Sequence, residues 1–128
     1  MINYNLKKKK ERYELTKENL TEKYNMQIKV IDRILYVINT KSEIKEDDKF
    51  ETIVFKKYLE LENVSSVAKY VNDLGYRIKT DSYVGERKYM GTDITEILMS
   101  DVNIDEDIKE VVQYLQDKNY RAMLKVWG

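Results

Sequence analysis

The chain has 128 residues, enough for one domain with a modest core, and its 42% apolar and 36% charged content fits a globular or helical protein rather than a disordered one. It contains no cysteine and no histidine, which removes disulfides, thiolate chemistry, cysteine–histidine zinc sites and histidine general bases. Basic and acidic side chains number 23 each, so the net charge is zero and no whole-molecule field draws in nucleic acid.

That charge is unevenly spread. Residues 1–33 carry nine basic and five acidic side chains, a net of +4, whereas residues 81–128 carry six basic and ten acidic, a net of −4. Such asymmetry suits a protein that turns one face to DNA and another to solvent. Eighteen lysines against five arginines, with two alanines, suggest an AT-rich genome choosing the codons, which discounts the lysine excess. No run approaches the roughly 18 apolar residues of a membrane span. The four lysines at 7–10 lead into no apolar signal core. The expected setting is the cytoplasm, away from membranes.

Residues 6–39 predict one long helix, because Tyr24, Ile28, Ile31, Leu35 and Ile38 recur at steps of four, three, four and three. Val30, Ile34 and Val37 widen that stripe beyond a narrow coiled-coil seam. The stripe fits either an intrachain core or a homodimer interface. Lys7–Lys10 fit a solvated helix start or a phosphate-binding arm. After a polar connection at 40–48, a second helix at 49–61 places Ile53, Val54, Tyr58 and Leu61 on one side. A third helix is expected to start at Ser65 or Ser66 as N-cap, to bury Val67, Ala68, Val71 and Leu74, and to end at Gly75.

"YRIKT" (76–80) alternates like a short strand, Gly85 marks a turn, and "KYM" (88–90) is a candidate return strand. A fourth helix begins at Gly91 or Thr92 with Ile94, Ile97 and Leu98 facing inward. Asn103 with Glu106 resembles a capping box for a fifth helix, 104–118, along Ile108, Val111, Val112 and Leu115. The tail "YRAMLKVWG" reads as a last strand or an apolar tether, with Trp127 as a core anchor.

Two short helices, a two-stranded wing and a further helix with a polar outer face make residues 49–100 a candidate winged helix-turn-helix. In such units hydroxyls and helix N-termini meet phosphates. Ser65, Ser66 and Lys69 would lie on the bracing helix, Arg77, Lys79, Arg87 and Lys88 would flank the groove, and Thr92, Thr95 and Met99 would reach base edges. Asp93 is expected to cap its own helix, paired with Glu96.

The stretch "IVFKKYLELENVSSVAKYVNDLGYRIKT…RKYMGTDITEIL" resembles the "recombinase" DNA-binding module of large serine recombinases. The matching positions are Phe55, Tyr58, Leu59, Val67, Ala68, Val71, Asn72, Gly75, Thr80, Tyr89, Thr92, Ile94, Ile97 and Leu98. The interval from Gly75 to Thr92 is longer than in that family, and Asp93 and Glu96 stand where it has neutral or basic residues. A chain of 128 residues cannot also hold the family's serine catalytic domain, so the resemblance implies DNA binding and not recombination.

The acids at 46–48 and 105–110 lack the glycine-centred spacing of a calcium loop and read as loop and helix-start acids. The sequence therefore predicts a single, mainly α domain with a small β component: a long N-terminal helix (6–39), the winged core (49–100), and a C-terminal helix and tail (104–128). Its expected function is sequence-specific double-stranded DNA binding, as a homodimeric plasmid or phage regulator, partition or relaxosome factor. No enzyme activity, metal, cofactor or small-molecule substrate is expected. The rival reading is a protein-interaction module using the acidic C-terminal third.

Overall fold

The computed structural model describes residues 3–81, 83 and 85–127, with side chains described as far as Asn119. The fold is mainly helical: α1 (Tyr4–Lys41), α2 (Phe50–Leu61), α3 (Val64–Asp73), α4 (Gly91–Met99) and α5 (Glu106–Trp127). Between α3 and α4 lies a two-stranded antiparallel hairpin, β1 (Ile78–Lys79) with β2 (Glu86–Arg87), in the register Ile78 to Arg87 and Lys79 to Glu86. The chain divides into two compact units, residues 1–36 and 37–128.

The first unit is helix alone. It lacks glycine and proline, and Asn3 starts it by accepting the Leu6 N–H on Oδ1 at 3.1 Å. Every side chain from Asn3 to Lys29 is exposed. The predicted stripe forms no intrachain core: Tyr24, Ile28, Ile31, Leu35 and Ile38 are 43–62% exposed, and Val37 is the buried residue of α1. At about 100° per residue Val37 lies beyond the far edge of the widened stripe, away from the five exposed residues, so of the two uses the sequence left open those five do not serve an intrachain core.

The second unit holds the core. Val37, Val54, Phe55, Val67, Val71, Ile94, Leu98 and Val112 are its largest fully buried side chains, contributed by the last turn of α1 and by α2 to α5. Polar groups then tie the helices at their ends. Asn119 Nδ2 on α5 donates to Tyr58 Oη at 3.0 Å and to Glu62 Oε2 at 3.2 Å. Gln113 Nε2 donates to the Leu98 carbonyl at 3.0 Å, satisfying an orphan acceptor at the end of α4. The buried Lys56 ammonium donates to the Glu43 carbonyl and to Asp48 Oδ2, both at 2.7 Å, and so pins the loop before α2. Burial works to raise the Asp48 pKa, but hydrogen bonds from the Lys45 N–H and the Lys56 ammonium outweigh it and hold the carboxyl below its usual range.

Three predicted helix boundaries shift, each for a local reason. Asn63, not Ser65 or Ser66, caps α3, because its Oδ1 accepts the Ser66 N–H at 2.9 Å. Asp105, not Asn103, starts α5: its Oδ1 accepts from the Asp107 and Ile108 N–H groups at 2.9 and 3.2 Å. The C-terminal tail is neither strand nor tether, since α5 continues to Trp127; the Trp127 side chain lies outside the described residues. The return strand is 86–87 rather than 88–90, because the Thr80 N–H donates to the Gly85 carbonyl and closes the hairpin early.

The exit from α3 follows the expectation. Gly75 has φ +98°, the Tyr76 N–H donates to the Val71 carbonyl and the Gly75 N–H to the Asn72 carbonyl, the paired bonds of a Schellman ending. The Asn72 carboxamide then closes a two-way clamp on the far side of the hairpin: Nδ2 donates to the Tyr89 carbonyl at 3.0 Å, and Oδ1 accepts the Tyr89 N–H at 2.8 Å. Asn72→Ala removes both bonds from a half-buried site and should lower stability by about 2 kcal/mol. Asn72→Asp keeps the acceptor but turns a carboxylate oxygen toward the Tyr89 carbonyl and should cost at least as much. Urea unfolding checks this through the midpoint at unchanged m.

Candidate functional site

The residues predicted to meet DNA lie on α3, the hairpin and α4, and the fold brings part of the set together. The N-termini of α3 and α4 are adjacent. A methyl placed on Gly91 would lie 3.2 Å from Val64 Cγ2 and 3.3 Å from Ser65 Oγ, so the absence of a side chain at Gly91 allows this approach. Ser65 and Ser66 on the first turn of α3 and Thr92 on the first turn of α4 are all exposed beside this junction. Thr95 is half-buried and donates its hydroxyl to the Gly91 carbonyl at 3.1 Å, which turns it toward its own helix. Met99, at the far end of α4, is 72% exposed.

The cations divide into two groups. Arg77 Nη1 donates to the Asn72 carbonyl at 3.0 Å and the Tyr76 carbonyl at 2.7 Å, a capping role at the exit of α3. Arg87 grips Asp93 with two bonds of 2.8 Å, Nη1 to Oδ2 and Nη2 to Oδ1. Lys69 pairs with Asp73 one turn on at 3.0 Å, both highly exposed. Lys79 and Lys88 are exposed and make no ion pair among the described residues. Predicted groove cations are thus partly committed to holding the fold.

Asp93 does cap α4, as expected, but from the third position and without Glu96: its Oδ2 accepts the Met90 N–H at 2.8 Å. The Arg87 guanidinium, aided by the Met90 N–H and against the effect of burial, lowers the Asp93 pKa to about 2. Asp93 in turn holds Arg87 above its ordinary value. Burial first, then the nearby acid at Asp93, pushes the Tyr89 phenol up. Tyr89 packs on Phe50 with ring centroids 5.1 Å apart, and Phe50 also meets Tyr76 at 4.6 Å, so the two ends of the hairpin share one aromatic support from α2.

Three structural contributors were invisible as such in the sequence. Asn72 reads as one polar residue in an amphipathic helix, and its clamp needs a partner 17 positions away. Lys56 reads as a surface lysine, yet it is buried and paired with Asp48. Lys41 closes the far end of the unit, bridging Asp105 and Asp107 at 2.7 and 2.8 Å, and these acids hold it above the usual lysine range. Between α4 and α5 lies an open groove of about 540 Å³ lined by Thr95, Met99, Gln113, Gln116 and Asp117. Among the described residues no group of three or more acids is placed to hold a metal ion, and no helix is long and apolar enough to cross a membrane.

No family model, curated protein or solved structure matches the chain.

The Arg87–Asp93 pair generates a pH prediction. Asp93 is 14% exposed and Arg87 44% exposed, so solvent screens the pair and its contribution is put at about 1 kcal/mol. Asp93→Asn keeps an acceptor for the Met90 N–H and removes the charge together with one of the two oxygens that hold Arg87. Because the folded pKa is depressed, the stabilisation is fully present above the unfolded value of roughly 4. It is lost as pH falls toward about 2. The stability gap between the parent and Asp93→Asn should therefore be flat above pH ~5 and close between ~4 and ~2, read from urea midpoints across that range.

Proposed function

We propose that the chain is a cytoplasmic, sequence-specific double-stranded DNA-binding protein of plasmid or phage type, a regulator, partition or relaxosome factor. In this reading α2, α3, the β1–β2 hairpin and α4 act as a winged helix-turn-helix. α3 braces the backbone through Ser65 and Ser66, the wing supplies Lys79 and Lys88, and α4 presents Thr92 and Met99 to base edges.

The observation that carries this reading is the junction at Gly91. Two helix N-termini, each the positive end of its helix, open beside three exposed hydroxyls at Ser65, Ser66 and Thr92. Phosphate oxygens are the acceptors that such a surface matches. The order helix, tight turn, helix, hairpin, helix supports the same reading, as does the resemblance over residues 53–98. Of the two acids that opposed it from the sequence, Asp93 is paired with Arg87, and Glu96 remains exposed on α4.

A second reading, a module that binds another protein, is favoured by a different observation. Arg77 and Arg87 are given to the fold rather than to a ligand, and the groove beside Met99 offers apolar surface for a side chain of a partner.

Salt dependence separates the two. Arg77 and Arg87 are unsuitable probes, since their loss would loosen the ends of α3 and α4. Lys79→Ala with Lys88→Ala leaves the described bonds intact. On a duplex selected from random DNA, the double variant should bind about tenfold more weakly at ~0.15 M salt. Its log–log salt slope should shrink by about 2, one released counterion for each lysine. Unchanged affinity and slope in mobility-shift titrations would remove the wing from the interface, and no duplex binding at low salt would leave the protein-partner reading.

A further inference from the structure

We infer that α1 is a coiled-coil strand, and that its partner is the α1 of a second copy of this chain, parallel and in register. This inference is independent of the DNA-binding reading and concerns a surface that reading does not use.

Leu20, Tyr24, Ile28, Ile31 and Leu35 follow one another at steps of four, four, three and four, and each is 49–62% exposed. At 3.6 residues per turn they fall within an arc of about 80°, and Leu6 and Tyr13 fall within the same arc. The steps after Tyr24 are those of a coiled-coil seam, with Ile28 and Leu35 at one seam position and Tyr24 and Ile31 at the other. The five side chains from Leu20 to Leu35, each about half exposed or more, form one continuous apolar face with no partner of its own among the described residues. A lone helix of this kind is marginal in water, whereas paired copies bury the seam.

The flanks of the arc specify the partner and its direction. On one flank lie Lys9, Thr16 and Gln27; on the other lie Glu14, Thr21 and Asp32. In a parallel, in-register pair each residue of the first flank faces the residue five positions later in the other copy. After Tyr24 that places Gln27 opposite Asp32; the two successive steps of four around Tyr24 shift the register, and before that shift Lys9 stands opposite Glu14 and Thr16 opposite Thr21: one ion pair and two hydrogen-bonding pairs, repeated by symmetry. An antiparallel pair would instead set the acidic flank against itself. Glu14 is 63% exposed and its bond to Lys10 spans 3.8 Å, so it remains accessible to Lys9 of the second copy. Lys10 and Lys17 share the arc, so the seam closes best from Leu20 onward, with the lysine stems lying along the apolar surface.

Sedimentation of the full chain between about 1 and 100 µM tests the association. The expected mass is at least twice the 15.4 kDa of one chain, falling to 15.4 kDa for Ile31→Glu with Leu35→Glu. Met26→Glu is the control, since Met26 is 69% exposed but lies outside the arc, and it should keep the parent mass. The chain has no cysteine, so Leu20→Cys and Leu35→Cys report direction. Under mild oxidation each variant alone should form a disulfide-linked dimer. A parent chain that stays at 15.4 kDa throughout overturns the inference. So does dissociation by Met26→Glu, or cross-linking only when the two cysteine variants are mixed.

Discussion

The arrangement of α3, hairpin and α4 depends on one side chain. Asn72 offers the backbone of Tyr89 both a donor and an acceptor, which is the pattern one strand offers another. The sixteen residues between them, 73–88, are closed into a loop by that pair of bonds, and the loop contains the whole hairpin. A two-stranded sheet of two residues per strand has no stability of its own. Its position is set by its ends: the Schellman exit and Arg77 at one side, and Tyr89, Arg87 and Asp93 at the other. Phe50 lies under both ends through its contacts with Tyr76 and Tyr89. Only because Tyr89 is fixed does α4 start where Gly91 can meet Ser65.

The second unit solves its electrostatics internally, and that choice shapes what its surface can do. Lys56 goes to Asp48, Lys41 to Asp105 and Asp107, Lys109 to Asp101, and Arg87 to Asp93. Each of these pairs holds a loop or a helix end. The second unit nevertheless keeps 14 basic against 18 acidic side chains, a net of −4, so attraction to a polyanion would have to come from hydroxyls, helix ends and a few lysines, against its net charge. A binder of that kind gains little from long-range steering and depends on geometry.

Much of the helical framework was legible in the sequence. Apolar periodicity located all five helices, and Gly75 marked a left-handed exit because no other residue there would be unstrained. What was not legible depended on choices between neighbours of similar chemistry. Asn63 and Ser65 are both good caps, and so are Asn103 and Asp105; only the direction of the incoming chain decides which oxygen meets which amide. The structural bonds of Arg77 and Arg87 were not foreseen for a related reason. A basic residue beside a candidate groove reads as a phosphate ligand, but the carbonyls at the end of α3 and the acid at the start of α4 are nearer.

The long helix shows the same limit from the other side. Its stripe was visible as eight residues of hydrophobic period, and nothing in a one-dimensional pattern says whether the mate belongs to the same chain. Exposure decides part of that question: Val37 is buried and the residues at 24, 28, 31, 35 and 38 are not. The flanking polar residues bear on the rest only through the proposed pairing, in which Lys9 and Glu14, on opposite sides of the stripe and five positions apart, would meet in a parallel copy. The proposed pairing of α1 would also change the arithmetic of the proposed DNA contact. Two lysines per copy neutralise about two phosphates, a shallow attachment alone. Joining two copies makes the second contact intramolecular, so affinity rises without any additional charge on either surface.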